Sequence, residues 1–307
     1  MVYERNSMTS NSIPKKCPLC SSLEIEKYWD RCWKSPDVKV YACNNCSLIF
    51  LHPMMCNKES NKYYLNYVSH LTSRGVAVNE TPEQTFLRRE NIGAYRIDIA
   101  KQFVNKKYNV LEIGGGCGNF IGNMIQKGLI SSGVLVESCL SHLKYAANKF
   151  NLKCYVSLDE VGDNKFDAIF MFHVLEHIKE PIGFLKYCSS FLKQKGLFVV
   201  EVPSSSDPLL SLYGCDSFKD FYFQPMHHYV YSEKSLEYLF KKSGYKTSRF
   251  IYYQRYSLSN HLGWLAYGKQ GNEQNFLGII DNLMEKHYKN NLINAKHTDT
   301  IFGVFIK

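Results

Sequence analysis

A strand-like run that leads directly into a glycine-rich turn, residues 110–120, constrains the fold more than any other feature of the sequence. The run Val-Leu-Glu-Ile is followed by glycines at positions 114, 115, 116 and 118, and then by a helix-like stretch. Glycine lets the backbone lie against a ligand at places where a Cβ atom would clash. The pattern therefore predicts a strand, a ligand-binding turn and a helix in succession.

From residue 108 onwards, strand-like and helix-like runs alternate along the chain. The strand-like runs are residues 110–113, 134–136, 152–156, 168–172 and 197–202, and the helix-like stretches are residues 119–127, 141–150 and 181–192. A helix at 232–243, ended by Gly244, and strands at 246–253 and 300–306 follow. Strands that alternate with helices indicate βαβ units and a parallel sheet. The predicted fold class is therefore α/β, with a Rossmann-type sheet that carries helices on both faces.

The sequence before this domain divides into three parts. Residues 1–14 are polar and predict a flexible N-terminus, and residues 15–60 carry two pairs of cysteines with short strand-like runs. Residues 61–105 predict a helical linker or lid, because Thr81 begins a capping box and apolar residues follow it at helical spacing. The α/β domain is expected to cover residues 106–307.

The composition is that of an ordinary globular protein, with 45% hydrophobic and 21% charged residues. No apolar run approaches the roughly 18–20 residues of a membrane span, and the first fifteen residues lack the apolar region of a secretory signal. We therefore expect a cytoplasmic protein without a membrane partner. The formal net charge of +9 is scattered rather than clustered, which argues against a nucleic-acid partner.

Four of the eleven cysteines form two Cys-x-x-Cys pairs, Cys17 with Cys20 and Cys43 with Cys46. An odd number of cysteines argues against a disulfide framework and for a reducing compartment. Two such pairs can place four thiolates tetrahedrally around one Zn²⁺, and a segment this short needs a metal ion for stability. The sequence therefore predicts a small, zinc-ribbon-like module with a structural ion. The alternative is four unrelated reduced cysteines, and a catalytic zinc is disfavoured because four thiolates leave no coordination position open.

An acidic residue, Glu112, precedes the first glycine of the turn by two positions. A dinucleotide-binding fingerprint would place its third glycine where this chain has Asn119, and a carboxylate at the turn would repel a pyrophosphate. The same carboxylate suits the ammonium group of an amino-acid moiety. Here the sequence resembles the class I S-adenosylmethionine-dependent methyltransferases, whose first motif reads acidic-x-Gly-x-Gly-x-Gly.

Three further segments resemble this family in the same order. Glu137 ends the next strand, where the family has an acidic residue that binds the ribose hydroxyls, and residues 157–158 follow the third strand, where it holds the adenine. Residues 166–177, FDAIFMFHVLEH, resemble its FDxI…HxLEH segment. Taken alone, Glu137 is as well explained as a surface carboxylate. The resemblance implies S-adenosylmethionine as the cofactor, with these binding residues: Glu112, Gly114, Gly116, Gly118, Phe120, Glu137, Ser138, Ser157, Leu158, Phe172 and His173.

The resemblance extends to methyltransferases of sugar, polysaccharide and antibiotic pathways. It is carried by residues 43–53 with the tyrosines that follow them, by residues 226–232, and by the aromatic stretch 254–264. It implies a nucleotide-linked sugar or glycan precursor as substrate, held by a capping C-terminal segment at about 205–231 and 254–298. The implied substrate-binding residues are Tyr63, Tyr64, Arg255, Tyr256, Asn260, His261 and Trp264. The alternative is that these aromatic residues only pack C-terminal elements onto the sheet.

Methyl transfer to a hydroxyl requires that the acceptor lose its proton, and a neutral histidine is the usual base near pH 7. The candidates follow the fourth and fifth strands, at the edge where such sheets bind ligands. By resemblance to sugar methyltransferases with a histidine in this segment, His228 is the first candidate and His177 the second, with Glu176 orienting His177. His227 is a further candidate. Each of these residues can instead serve local packing or hydrogen bonding.

Two other functions compete with that of a small-molecule methyltransferase. A zinc module ahead of a Rossmann domain also occurs in enzymes that methylate RNA, but residues 15–60 lack a basic cluster. A non-catalytic cofactor-binding protein would have no need of an intact glycine turn together with Glu137. We therefore expect in-line methyl transfer to a small polar acceptor. The methylated atom and the oligomeric state stay open.

Overall fold

A computed structural model describes residues 13–55 and 80–307 of the chain. In chain order its strands are β1 (Ile25–Trp29), β2 (Lys39–Cys43), β3 (Ile49–His52), β4 (Asn109–Ile113), β5 (Ser132–Val136), β6 (Lys153–Tyr155), β7 (Phe166–Phe172), β8 (Leu192–Pro203), β9 (Tyr229–Val230), β10 (Lys246–Tyr253) and β11 (Thr300–Ile306). Its α-helices are α1 (Pro82–Arg88), α2 (Glu90–Ala100), α3 (Ile121–Gln126), α4 (Leu140–Phe150), α5 (Pro181–Ser190), α6 (Pro208–Ser211), α7 (Asp216–Tyr222), α8 (Glu233–Lys242), α9 (Leu258–Tyr267) and α10 (Asn282–Asn294). The predicted substrate residues Tyr63 and Tyr64, and the first part of the predicted linker, lie outside the described residues.

Seven strands form one sheet in the order β10-β11-β8-β7-β4-β5-β6. Strands β4 to β8 pair in parallel, whereas β11 lies antiparallel between β8 and β10. The prediction of an α/β, Rossmann-type sheet is confirmed. The strand order reverses between β4 and β7, and in sheets of this kind ligands bind at the carboxyl ends of the strands beside such a reversal.

Helices cover both faces of this sheet, because successive residues of each buried strand point to opposite faces. On one face, Leu111 of β4 belongs to a core with Leu185 of α5 and Leu239 of α8. On the other face, Val110 belongs to a core with residues of α1 to α4, including Phe86. Two apolar cores thus hold the sheet between two layers of helices.

The cysteine-bearing segment forms a second, four-stranded sheet in the order β1-β2-β3-β9. Its fourth strand comes from much later in the chain. Strand β9 pairs antiparallel with β3 at two positions, Ile49 with Val230 and Phe50 with Tyr229. The cysteine module is therefore completed by a segment that follows β8, which the sequence did not indicate.

Helices α6, α7, α9 and α10 lie in the segments that were predicted to cap the substrate site. Helices α6, α7 and α9 pack against the cysteine module through a third apolar core. In this core Leu209, Phe218 and Trp264 meet Val40 and Leu51 of the small sheet. The C-terminal segments and the cysteine module therefore support each other.

The predicted capping box at the start of α1 is present. The Thr81 side chain accepts a hydrogen bond from Gln84 N, and the Gln84 side chain accepts one from Thr81 N. The helical segment is interrupted at Arg89 and ends at Ala100, before residue 105, the predicted end of the linker. Within residues 13–55 and 80–307, no helix is long and apolar enough to cross a membrane.

Candidate functional site

The glycine turn connects the carboxyl end of β4 to α3. Gly114, Gly116 and Gly118 have φ angles of +73°, +57° and +78°, a region that residues with a side chain rarely adopt. Among the described residues, a Cβ atom on Gly116 would come within 4 Å of Arg89 Nη1 alone, at 3.7 Å. The turn therefore presents bare backbone to an open space, as a cofactor cradle requires.

Gly115 is needed for a different reason, which the sequence analysis missed. A Cβ atom at this position would lie 2.5 Å from Glu112 Cδ and 2.5 Å from Leu135 Cδ1. Glu112 is buried, and its Oε2 accepts a hydrogen bond from Ile121 N at 3.1 Å. Burial raises the pKa of Glu112 to about 7. This carboxyl group therefore ties the turn to the first residue of α3.

Glu137 follows β5 and is held against the glycine turn. Its Oε2 accepts a hydrogen bond from Gly116 N at 2.8 Å, and its Oε1 accepts one at 2.7 Å from a backbone N–H two residues further on. Ser138 beside it is exposed, and Ser157 and Leu158 follow β6 at the same edge of the sheet. The structure thus brings the turn and these strand-end residues, all predicted for the cofactor, to one edge.

Helices α1 and α2 contact the glycine turn, an arrangement that the sequence did not predict. Asn119 Nδ2 donates a hydrogen bond to Phe86 O at 2.8 Å. Gly93 packs so closely that a Cβ atom there would lie 2.7 Å from Asn119 O. Arg89, between the two helices, therefore places a cation at the edge of the open space above Gly116.

Two aromatic residues that were predicted to contact the cofactor pack in the core. Phe120 is buried, and its ring centroid lies 4.8 Å from that of Phe170 and 4.8 Å from that of Phe172. The ring of Phe172 is also covered by Arg96, whose guanidinium carbon lies 4.6 Å from the ring centroid. In this structure both rings support the sheet beneath the site.

His173 follows β7 directly and has a φ angle of +54°. Its Nδ1 lies 3.2 Å from Glu176 Oε1. Its Nε2 lies 3.3 Å from Glu201 Oε1 and 3.2 Å from Arg255 Nη1. Burial alone would lower the pKa of His173, but the two carboxylates outweigh burial and raise it. His173, predicted for the cofactor, is therefore the centre of a network of charges.

Glu201 was not predicted as a site residue, although a carboxylate inside an apolar strand needs a partner and could have signalled one. It is buried near the end of β8, where its Oε2 accepts a hydrogen bond from Arg96 Nε at 2.6 Å and its Oε1 accepts one from Tyr95 Oη at 2.5 Å. Burial would raise the pKa of Glu201, but Arg96 and His173 lower it. The ionised carboxylate thus links α2 to His173.

His177 and His227 lie beside Glu176. One ligand atom from each of the three residues lies within 4.8 Å of the others, and the two imidazole centroids are 4.8 Å apart. His177 Nδ1 donates a hydrogen bond to Met226 O at 3.0 Å, because a carbonyl oxygen only accepts. Both imidazoles are half-buried. Together with His173 and Glu201, these residues form a histidine-carboxylate cluster: His173, Glu176, His177, Glu201 and His227.

His228, the first candidate for a base, is buried, and neither of its ring nitrogens has a hydrogen-bond partner within the described part of the chain. Burial lowers the pKa of His228 to about 4, so that its imidazole is neutral at pH 7. Its carbonyl oxygen accepts a hydrogen bond from Leu51 N at 3.0 Å. Of the two leading candidates, His177 is the one whose ring is partly exposed.

Arg255 and Tyr256, predicted to bind substrate, follow β10. The Arg255 Nε and backbone N groups each donate a hydrogen bond to the carboxylate of Asp299 at 2.8 Å. The same guanidinium reaches His173, as described above, while the Tyr256 ring is exposed. Arg255 therefore joins the C-terminal region to the histidine-carboxylate cluster.

The other predicted substrate residues, in α9, make contacts within the chain. Asn260, His261 and Trp264 are buried. The Asn260 side chain donates a hydrogen bond to Glu273, and His261 Nδ1 lies 2.6 Å from Tyr288 Oη. Trp264 packs in the third core. These side chains therefore fix α9 in place.

The four paired cysteines come together at one end of the small sheet. Cys17 Sγ lies 3.7 Å from Cys46 Sγ, and Cys20 Sγ lies 3.5 Å from Cys43 Sγ. All four sulfur atoms lie within 4.8 Å of one another. In a tetrahedral site with Zn–S bonds of about 2.3 Å, the sulfur atoms are about 3.8 Å apart. The donor set and its spacing fit one zinc ion.

The α/β domain is similar in sequence to a known protein family. A family model described as a methyltransferase domain matches residues 70–248, which is more than half of the chain. This range contains the glycine turn, Glu137 and all members of the histidine-carboxylate cluster. No curated protein matches the sequence.

Solved structures share the fold at low sequence identity. An S-adenosylmethionine-dependent methyltransferase from Archaeoglobus fulgidus is 17% identical with a TM-score of 0.51, and the match covers 73% of this chain and 97% of that one. A chain of the Haloferax volcanii complex that contains the Trm112 methyltransferase activator is 12% identical with a TM-score of 0.52, and the match covers 72% of this chain and 93% of that one. Both likenesses concern the fold alone.

Proposed function

The chain belongs to the methyltransferase domain family. On that premise we propose that it is an S-adenosylmethionine-dependent methyltransferase and that its acceptor is a hydroxyl group of a nucleotide-linked sugar or of a closely related anionic glycan precursor. The observation that carries this proposal is the histidine-carboxylate cluster beside the glycine turn. A hydroxyl acceptor must lose a proton, and imidazole groups assist that loss near pH 7. An acceptor that is already a nucleophile would have no need of such a cluster.

The cofactor would lie over the glycine turn. Bound S-adenosylmethionine supplies a methyl group on a sulfonium sulfur, which leaves as a neutral thioether with the electron pair of the broken C–S bond. We propose that Arg89 meets the carboxylate of its methionine part. Glu137 is fixed by two backbone N–H groups and would accept hydrogen bonds from the ribose hydroxyls. The open space above Gly116 supports this placement, because a Cβ atom would fill it.

The acceptor would lie over the carboxyl ends of β7 and β8, on the side of the histidine-carboxylate cluster. His177 is the central residue for loss of the acceptor proton in this proposal. Its Nδ1–H is fixed by Met226 O, so Nε2 keeps its lone pair. The buried Glu201 carboxylate, paired with Arg96, would hold the floor of the site in one arrangement.

A sugar is favoured over other acceptors by the three segments that resemble sugar-pathway methyltransferases. The exposed ring of Tyr256 offers a surface for a sugar face. The neighbouring Arg255 suits a diphosphate, since a guanidinium offers paired donors. The buried side chains of α9 would then position this wall rather than contact the sugar.

We further propose that Cys17, Cys20, Cys43 and Cys46 hold one structural Zn²⁺. The sulfur spacing supports it, as does the small size of the sheet that they anchor. Four thiolates would fill the coordination sphere. The ion would therefore act on stability and on the position of β9, and would take no part in methyl transfer.

The test is methyl transfer from isotopically labelled S-adenosylmethionine to a panel of nucleotide sugars, with quinone precursors and ribosomal RNA beside them. We expect turnover on at least one nucleotide sugar and none on RNA. Turnover on RNA or on a phenol, with none on any sugar, would refute the sugar proposal. Calorimetry with S-adenosylhomocysteine on the same sample shows whether the protein is competent to bind cofactor.

A further inference from the structure

Three members of the histidine-carboxylate cluster, Glu176, His177 and His227, are arranged as the ligands of a metal ion could be. Glu176 and His177 belong to a short 3₁₀ turn after β7, and His227 comes from the loop before β9. One ligand atom of each lies within 4.8 Å of the other two. In octahedral coordination with bonds of about 2.1 Å, opposite ligand atoms are about 4.2 Å apart. Small side-chain rotations would therefore close this set around an ion.

The buried carboxylate of Glu176 has an oxygen without a partner. Its Oε1 faces His173 Nδ1 at 3.2 Å. Its Oε2 is buried and has no hydrogen-bond partner in the part of the chain that the structure describes. A buried carboxylate oxygen costs free energy unless a proton donor or a cation faces it. The unpaired Oε2 is thus independent evidence that a cation binds at this position.

His177 is oriented as metal-binding histidines are. In protein metal sites, a ligating imidazole commonly donates its other ring N–H to a backbone carbonyl, which fixes the tautomer. His177 Nδ1–H does so to Met226 O at 3.0 Å, which leaves Nε2 as the lone-pair atom. Met226 directly precedes His227, so the same hydrogen bond holds the two histidine-bearing segments together.

The donor types select the class of ion. Two imidazoles and one carboxylate suit Zn²⁺, Mn²⁺, Fe²⁺ or Co²⁺, whereas Mg²⁺ and Ca²⁺ favour all-oxygen sites. Catalytic metal sites have three protein ligands and keep a position open for water or substrate. Both His177 and His227 are half-exposed, so the remaining positions would face the acceptor side.

We infer that Glu176, His177 and His227 bind a divalent transition-metal ion, a site distinct from the four cysteines. The inference rests on the proposed function, because it gives the ion the task of binding the acceptor hydroxyl. The coordinated hydroxyl would lose its proton to water in the half-exposed site. Its oxygen would keep an electron pair for the new bond to the methyl carbon. His177 would thus assist proton loss as a ligand of the ion.

Metal binding to the full-length protein tests the inference without any acceptor. Mn²⁺ is the probe of choice, because thiolate sites strongly prefer Zn²⁺ and the four cysteines should not retain Mn²⁺. Titration followed by electron paramagnetic resonance should show about one bound Mn²⁺ per chain. After loading with Zn²⁺, elemental analysis should find about two ions per chain.

Two variants remove the site by different chemistry. Glu176→Gln keeps the shape of the buried side chain, and His227→Ala removes a half-exposed ring. Each should weaken Mn²⁺ binding at least about tenfold and lower the Zn²⁺ content to about one per chain. His287→Ala removes an exposed histidine of α10 and should leave both values unchanged.

Binding of S-adenosylhomocysteine to the same samples separates this inference from the proposed function. Suppose that the wild-type protein binds S-adenosylhomocysteine but holds no Mn²⁺ and only one Zn²⁺. This result would overturn the metal site, and the proposed methyltransferase function would stand. Mn²⁺ binding that persists unchanged in Glu176→Gln and His227→Ala would also overturn it. Loss of Mn²⁺ binding in both variants, with cofactor affinity retained, would establish the site.

Discussion

The two halves of the candidate site are built in opposite ways. The cofactor half is made from one continuous turn, Gly114 to Gly118, and from Glu137, which follows the adjacent strand β5. It works through backbone groups and empty space. The acceptor half is made from charged and aromatic side chains of at least five separate segments, joined by ion pairs and hydrogen bonds. The first half depends on local chain geometry and the second on the whole fold.

This difference suits the chemistry of the two ligands. The cofactor is the same molecule in every enzyme of this class, so a short backbone cradle can serve it unchanged. The acceptor varies between enzymes, and side chains from many segments can be replaced one at a time. Substitutions should therefore separate the two halves: cofactor binding is expected to fail at the turn, and turnover to fail at the cluster.

The largest effect is expected for Gly116→Val. The new side chain would enter the open space above the turn, and the φ angle of +57° would strain it. Calorimetry should detect no binding of S-adenosylhomocysteine. Gly128→Val is the matched control, because Gly128 has a φ angle of +62° and open space around it but lies outside the turn. Equal loss of affinity in both variants would contradict a specific cradle at Gly116.

His177→Ala should act on the other half alone. With an acceptor identified by the panel, turnover should fall about 10²–10⁴-fold, because the proposed mechanism uses this residue in the loss of the acceptor proton. Affinity for S-adenosylhomocysteine should stay within about twofold. His287→Ala serves as the exposed control. Unchanged turnover in His177→Ala would remove this residue from the mechanism.

Cys43→Ser tests whether the cysteine module supports the acceptor half. The module holds β9, and His227 and His228 directly precede that strand. Loss of the proposed zinc ion should lower the melting temperature by about 5–10 °C and reduce turnover. Cofactor affinity of the protein that remains folded should be nearly unchanged. Cys154→Ser, on β6 away from the module, is the control, and equal effects of both substitutions would contradict the idea.

The smallest effect is expected for Asp207→Asn. Burial, with the nearby charge of Asp299, raises the pKa of Asp207 from 3.8 to about 8. Between these values the folded protein binds more protons than the unfolded chain, so this residue makes stability fall as pH rises from about 4 to about 8. The variant should melt at a higher temperature than the wild type at pH 8 and at the same temperature near pH 4. Asp163→Asn, at an exposed position, should match the wild type at both.

The contrast between the cofactor half and the acceptor half also explains which site residues could be predicted from the sequence. The turn and its glycines could be predicted because strand, turn and helix are adjacent in the chain. Glu137 could be predicted because it directly follows the next strand, β5. The need for a small residue at position 115 could not, because the obstructing Glu112 side chain folds back beneath the turn. The α/β sheet itself followed from alternating apolar runs and is confirmed.

In the acceptor half, the residue types were easier to predict than their partners. Glu201 lies in a run that looks like any apolar strand, and its partners Tyr95 and Arg96 stand more than a hundred positions earlier. In the aromatic stretch of α9, the residue type suggested the wrong environment. Trp264 is a residue type that often contacts sugars, but here it packs in the third core. Composition alone cannot separate those two roles, because both need large, partly apolar side chains.

Strand β9 has a consequence for how the protein is made. The ribosome synthesises β3 long before β9, and at roughly 5–20 residues per second the interval between them is roughly 10–35 s. Through that interval the outer edge of β3 has no neighbouring strand, and unpaired strand edges invite association with other chains. The nascent N-terminal segment therefore keeps an unpaired strand edge until more than two thirds of the chain has emerged.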